Sequence, residues 1–176
     1  AQVVALKKVV KGNVLYAPLA GHILETWSPE DYDKELTLSN WHKATIEGKY
    51  PFFPKEFKKR VKPNSSFMMN GKKMTSDYKK KFEEAKEMIE KCSEIVLAAD
   101  PDNEGVVLAM EVVEACNATK KVIGMINMAK LDPISLAKEI QIIDKIPYKK
   151  MNDAGNTRGI FDWVFGMNLS PLATIY

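Results

Sequence analysis

From Ile95 to Leu97 the chain is apolar and rich in β-branched side chains, and it then turns at Asp100-Pro101-Asp102. Roughly twelve helix-compatible residues follow, with Val106, Val107, Met110 and Val113 recurring at helical spacing. This pattern predicts a buried strand, a tight acidic loop and a helix packed on a sheet. Upstream, Thr75-Ser76-Asp77 opens a predicted helix through about Lys91, with Tyr78, Phe82, Ala85, Ile89 and Cys92 on one face and most Lys and Glu residues on the other. Downstream, Lys121 to Ile126 reads as a second strand, and Asp132-Pro133 caps a helix through about Ile143, with proline at its first position. Helices alternating with strands in this way predict a parallel sheet covered on both faces.

The flanks are less regular. Gln2 to Val10 predicts a short amphipathic helix, Gly12-Asn13 a turn, and Val14 to Ala17 a strand running into Ala20-Gly21-His22. Trp27-Ser28-Pro29 marks a helix start or turn. Asn40 to Pro63 has no clear period and reads as loop, although it holds Trp41, Tyr50, Phe52, Phe53 and Phe57. Pro147-Tyr148 marks a boundary, and another helix is expected from about Asp153.

The acidic loop carries the candidate chemistry. In open α/β sheets ligands bind beyond the carboxyl ends of the strands, where Asp100, Asp102 and Glu104 fall. Alternate residues of an extended segment point the same way, which brings Asp100 and Asp102 together. Two such carboxylates repel unless a cation lies between them, and hard oxygen donors suit Mg²⁺ with waters and a phosphate completing its shell. The same residues also make an ordinary turn followed by a first-turn helix acid, and spacing alone leaves both readings open.

LAADPDNEG, entered from a strand and left by a helix, resembles the acidic motif of Toprim domains in the D-P-D-R-E-G form of type IA DNA topoisomerases. AGHILETWSPEDYDKEL (20–36) is similar to the family's A-x-G-H-L-x-E-L segment, especially in the topoisomerase III branch. DAGNTRGIFDWVFGMNLSPLAT (153–174) resembles the family's R-x-x-x-D-W-x-x-G-x-N helix. The resemblance implies an α/β fold: a Rossmann-like Toprim parallel sheet flanked by helices, followed by the start of a helical domain. It implies residues 1–147 as the Toprim domain, with a loop insertion at 40–73, and 148–176 as the first helix of the next domain. The family's first strand, with its glutamate and Ser/Pro-Lys segment, would precede Ala1. Asn103 stands where the family has arginine, and Met128 stands at a glutamate position.

By the same resemblance, Asp100, Asp102 and Glu104 would bind Mg²⁺, and Glu104 and His22 would serve catalysis of DNA strand cleavage and religation. The nucleophilic tyrosine would lie on remaining domains or on a partner subunit, leaving this chain inactive alone. A Toprim nuclease or primase-like protein, and a non-catalytic DNA-binding or assembly module, are the competing readings. A lone histidine is by itself more often structural.

Charge changes the picture modestly. Residues 1–91 hold 18 Lys and Arg against 12 Asp and Glu, whereas 92–176 hold 8 against 11, so a basic half adjoins an acid-lined one. That asymmetry suits a polyanion and a metal, and equally an ordinary solvated surface. Lys58, Lys59 and Arg60, interleaved with aromatics, are candidates for single-stranded DNA, and Arg158 is a candidate phosphate contact that could instead pair with Asp162. Two cysteines without metal-ligand spacing read as thiols in a reducing compartment. No apolar run approaches the ~20 residues of a membrane span, and no signal segment opens the chain, so the expected location is cytoplasmic, nucleoid-associated, or nuclear in a eukaryote.

Overall fold

The computed structural model describes residues 1–19, 21–69 and 72–173, with backbone alone at 67, 69 and 72–74. Its regular elements are α1 (Gln2–Val9), β1 (Leu24–Thr26), α2 (Pro29–Tyr32), α3 (Trp41–Ile46), β2 (Lys59–Val61), β3 (Ser65–Met69), β4 (Lys72–Ser76), α4 (Tyr78–Lys91), β5 (Ile95–Ala99), α5 (Asn103–Ala115), β6 (Val122–Asn127), α6 (Pro133–Ile140) and α7 (Tyr148–Ala173). Two compact units emerge: 1–24 with 61–155, and 25–60 with 156–176. The chain passes between them within β1, within β2 and within α7.

The first unit is a mixed α/β structure. β5 and β6 pair in parallel, with Leu97 opposite Met125 and Ala98 opposite Ile126. Because neighbouring residues of a strand face opposite sides, each pair feeds a different layer. Leu97 and Met125 join Ala85 and Ile89 of α4 and Val106, Met110 and Val113 of α5 in one apolar cluster. Ala98 and Ile126 join Leu6 of α1 and Leu136 of α6 in the other. Helices therefore cover both faces, and each fully buried aliphatic side chain contributes roughly 1.5–3 kcal/mol. Lys121, just before β6, donates from Nζ to the carbonyls of Ile89 (2.7 Å) and Cys92 (2.8 Å), satisfying the otherwise unpaired C-terminal end of α4.

Several expectations shift. Val14 to Ala17 forms no regular strand. The extended element comes later, at β1, and Ala20 lies outside the described residues. The helix expected from Thr75 starts at Tyr78, because Thr75 and Ser76 belong to β4, which pairs antiparallel with β3, and Asp77 caps the helix by accepting from Lys80 N. That hairpin falls largely within the segment expected as a loop insertion. Cys92 and Cys116 are free and half-buried, and burial, foremost, pushes the Cys116 thiol up.

The second unit replaces the loop expected at Asn40 to Pro63 with α3, β2 and an aromatic cluster. Trp27, Tyr32, Phe52, Phe57 and Trp163 form a chain of ring contacts at 5.3–6.4 Å between centroids. Trp163 Nε1 donates to the Trp27 carbonyl at 2.9 Å, and buried Asn168 accepts from Phe52 N while donating to Phe52 O. These aromatics are packing. No helix among the described residues is long and apolar enough to cross a membrane.

Candidate functional site: the acidic turn and helix α5

The loop after β5 is tight. Asp102 N donates to Asp100 O at 2.8 Å, and the Asp102 carboxylate caps α5 by accepting from Gly105 N through Oδ1. A Cβ on Gly105 would stand 2.7 Å from Asp100 O and 3.2 Å from Asp102 Oδ1, so only glycine fits beneath this turn. Asp100, Asp102 and Glu104 are all exposed. Asp102 is partly committed to the helix end, whereas the carboxylates of Asp100 and Glu104 make no hydrogen bond or ion pair among the described residues. Glu104 sits in the first turn of α5, where the helix dipole favours a carboxylate.

The donor set suits a hard divalent cation that retains most of its water and takes one or two carboxylates. Among the described residues, no three His, Cys, Asp or Glu side chains converge as a ready-made metal cage. A cation here would be held by one or two of these carboxylates with water completing its shell.

Helix α5 gathers more than its own acids. Glu111, two turns beyond Glu104 and so on the same side of the helix, is buried at 4 % exposure. Its Oε1 accepts from Ile23 N (3.0 Å) and more distantly from Leu24 N (3.4 Å), and its Oε2 lies 3.0 Å from His22 Nδ1. His22 follows Gly21, whose φ of +73° is a conformation that glycine adopts readily. One turn further, Glu114 accepts from Asn152 Nδ2 of α7 at 2.7 Å. Gly155 of α7 lies against Val107 and the Asn103 carbonyl. The acidic turn, the glycine-histidine corner and the start of the α7 motif thus meet on one helix.

The Toprim domain model matches residues 1–131. The chain belongs to the Toprim family. It is also 22 % identical over 159 residues to DNA topoisomerase 3 of Vibrio cholerae serotype O1, an alignment covering 88 % of this chain and 22 % of that protein. This Toprim chain therefore spans about a fifth of the relative's length.

The remaining candidates lie in the second unit. Lys58 holds its ammonium 5.2 Å from the Trp27 ring centroid, and Lys59 Nζ donates to Asn156 Oδ1 at 3.3 Å. Arg60 is committed differently: its Nε donates to Glu25 at 2.8 Å and its Nη1 to Asp31. Glu25 foremost, with Asp31, holds the guanidinium above its already high ordinary value. Arg158 pairs with Asp162 at 3.6 Å, both highly exposed. Met128 is buried with Leu6, Ile126 and Leu136, so at that position the Toprim chain packs a core instead of presenting an acid.

Sequence reasoning did not single out Glu111 or Glu114. A signal existed, because two glutamates fall among Val107, Met110 and Val113 on a helix that must bury its apolar side. A carboxylate there needs dedicated donors.

Proposed function

We propose that this chain is the Toprim part of a type IA DNA topoisomerase, supporting cleavage and religation of a single DNA strand. The observation that carries the reading is the convergence on α5. One helix ties together the acidic turn, the histidine corner and the α7 segment, three stretches far apart in sequence. A structural turn at Asp100-Pro101-Asp102 would require none of these attachments.

In this reading Asp100, Asp102 and Glu104 hold Mg²⁺, which when bound supplies positive charge beside the DNA phosphate and the 3′ oxygen. The helix cap fixes the direction of the Asp102 carboxylate, and Gly105 leaves room for close approach of the backbone. His22 offers a polar atom toward the phosphate. Lys58, Lys59 and Arg158 contribute sequence-independent attraction to single-stranded DNA. Remaining topoisomerase domains or a partner subunit would bring the nucleophilic tyrosine, and the setting would be the cytoplasm, at the nucleoid, or a eukaryotic nucleus.

Buried Met128 favours a second reading, a non-catalytic DNA-binding or assembly module. Mg²⁺ titration followed by amide NMR separates the two. Weak binding that shifts residues 100–105, and disappears in an Asp100→Asn, Asp102→Asn double variant, is expected; asparagine keeps the helix cap while removing charge. Unchanged spectra of the parent chain at millimolar Mg²⁺ would remove the catalytic reading and leave the module.

A further inference from the structure

The carboxylate of Glu111 is used in full. Oε1 receives two backbone N–H groups at the entry to β1, so that oxygen is an acceptor, and Oε2 faces His22 Nδ1 at 3.0 Å. A carboxylate that accepts from backbone N–H groups through one oxygen is an acceptor through the other as well, so the hydrogen between the two side chains lies on Nδ1. The remaining ring nitrogen, Nε2, makes no hydrogen bond to any described residue, and the His22 side chain is 35 % exposed. A buried carboxylate behind a half-exposed imidazole resembles the outer partners that orient histidine ligands at metal centres: one nitrogen is tied inward so that the other faces outward in a fixed tautomer.

We infer that Glu111 is a positioning residue for His22, holding it as the Nδ1–H tautomer and turning Nε2 outward to donate, as imidazolium, to a DNA phosphate oxygen. The inference rests on the proposed DNA reading for its ligand, but not for the geometry of the pair. When Nε2 takes up a proton, the positive ring is balanced by the carboxylate already seated behind it, and the phosphate oxygen receives a charge-assisted hydrogen bond. Glu111 also anchors Ile23 and Leu24, so the ring is fixed in place as well as in protonation.

Ring ¹⁵N NMR of the chain tests this without DNA, because His22 and His42 are the two histidines and a His42→Gln variant separates them. With neutral rings, His22 is expected to show a protonated Nδ1 and a bare Nε2. The opposite pattern would overturn the inference. In Glu111→Gln the amide oxygen can still accept from Ile23 and Leu24, while its NH₂ group faces Nδ1 and reverses the tautomer. A merely structural Glu111 would leave the tautomer unmoved. Should the variant fail to fold, the pattern in the parent chain still decides.

Oligothymidylate is then added across a salt series. Engagement of His22 should shift its Nε2 resonance, and His22→Gln should flatten the slope of log affinity against log salt by about 0.7. Tight oligonucleotide binding with an unmoved ring would overturn the phosphate assignment. Absence of any oligonucleotide binding would instead overturn the DNA reading itself, with the tautomer still reporting on the Glu111 pair.

Discussion

Gly155 of α7 lies so close to α5 that a Cβ on it would stand 2.5 Å from Val107 Cγ2. The Asn103 carbonyl would be only 2.9 Å away. The spacing packs the first two turns of α7 against the helix that carries the acidic turn, and it assigns opposite outcomes to two glycines in a single helix. Gly155→Ala is expected to destabilise the protein by about 1–3 kcal/mol through overpacking, even after the helical preference of alanine is credited. Gly159, with open space around it, should gain about 0.5–1 kcal/mol as alanine. Denaturant unfolding of both variants measures the contrast, and two equal shifts would contradict the packing described here.

The second unit should carry a pH signature. Burial alone would raise the Asp31 carboxyl, but hydrogen bonds from the Ser28 hydroxyl and backbone N–H, aided by Arg60, outweigh it and hold the group below its ordinary value. A depressed folded value means that the stabilisation is present above the unfolded value of about 4 and is lost as pH falls through the folded one. Asp31→Asn should therefore cost about 1 kcal/mol at neutral pH, and the difference from the parent chain should close toward zero in strong acid. A gap that stays constant from pH 7 to pH 2 would show that the carboxylate charge contributes nothing.

How much of this was legible in the sequence depended on how local each interaction is. The β5–turn–α5 segment could be read because its apolar run, Asp-Pro-Asp turn and helical period all lie within about twenty residues. The second unit could not be, because Trp163 reaches Trp27 across 136 residues and Asn168 reaches Phe52 across 116. Without those partners, Asn40 to Pro63 shows aromatics with no period and resembles a loop. The β3–β4 hairpin escaped for another reason: Ser65-Ser66 opens its first strand with polar residues on both faces, so the sequence there shows no alternation of apolar and polar positions. At the candidate site, spacing drew attention to the acids but left their role open and did not show what they touch. Asp102 spends one oxygen on the helix cap, and the histidine's inward partner is a glutamate 89 residues away.

DNA affinity offers a sharper test of the basic run than charge counting does. With Lys58, Lys59 and Arg60 all on phosphate, three alanines would flatten the salt slope by about two units. Since Arg60 is engaged by Glu25 and Asp31, the expected change comes from Lys58 and Lys59 alone, about 1.4 units for the double variant. Arg60→Ala should leave the slope unchanged while lowering the unfolding midpoint. Fluorescence titration with a single-stranded oligonucleotide at several salt concentrations reads both, and a slope change in Arg60→Ala would return that guanidinium to the DNA-binding set.

The purified chain is expected neither to relax supercoiled DNA nor to form a covalent DNA adduct, with or without Mg²⁺. Strand transfer needs a nucleophile free to lie in line with the phosphate, and carboxylates that hold a metal position charge without attacking. Tyr50 is the tempting candidate, because Tyr50-Pro51 resembles the opening of the family's Tyr-Pro-Arg-Thr nucleophile segment, but Phe52 and Phe53 follow. Its side chain is buried with Leu36 and Ala44. Burial, foremost, and the nearby Glu30 charge push its hydroxyl up, the wrong direction for a nucleophile. Tyr32 donates to Glu56 O and accepts from Lys58 N, and Tyr148 donates to Val122 O. Tyr16 and Tyr78 pack against the two clusters of the first unit, with lysine ammonium groups 5.5–5.9 Å from their ring centroids. Tyr176 lies outside the described residues. Incubation with labelled single-stranded and supercoiled DNA, followed by denaturing electrophoresis, tests all six at once. A labelled protein band that one Tyr→Phe change abolishes would make this chain a complete strand-transfer enzyme and would show that the buried or engaged phenol rearranges when DNA binds.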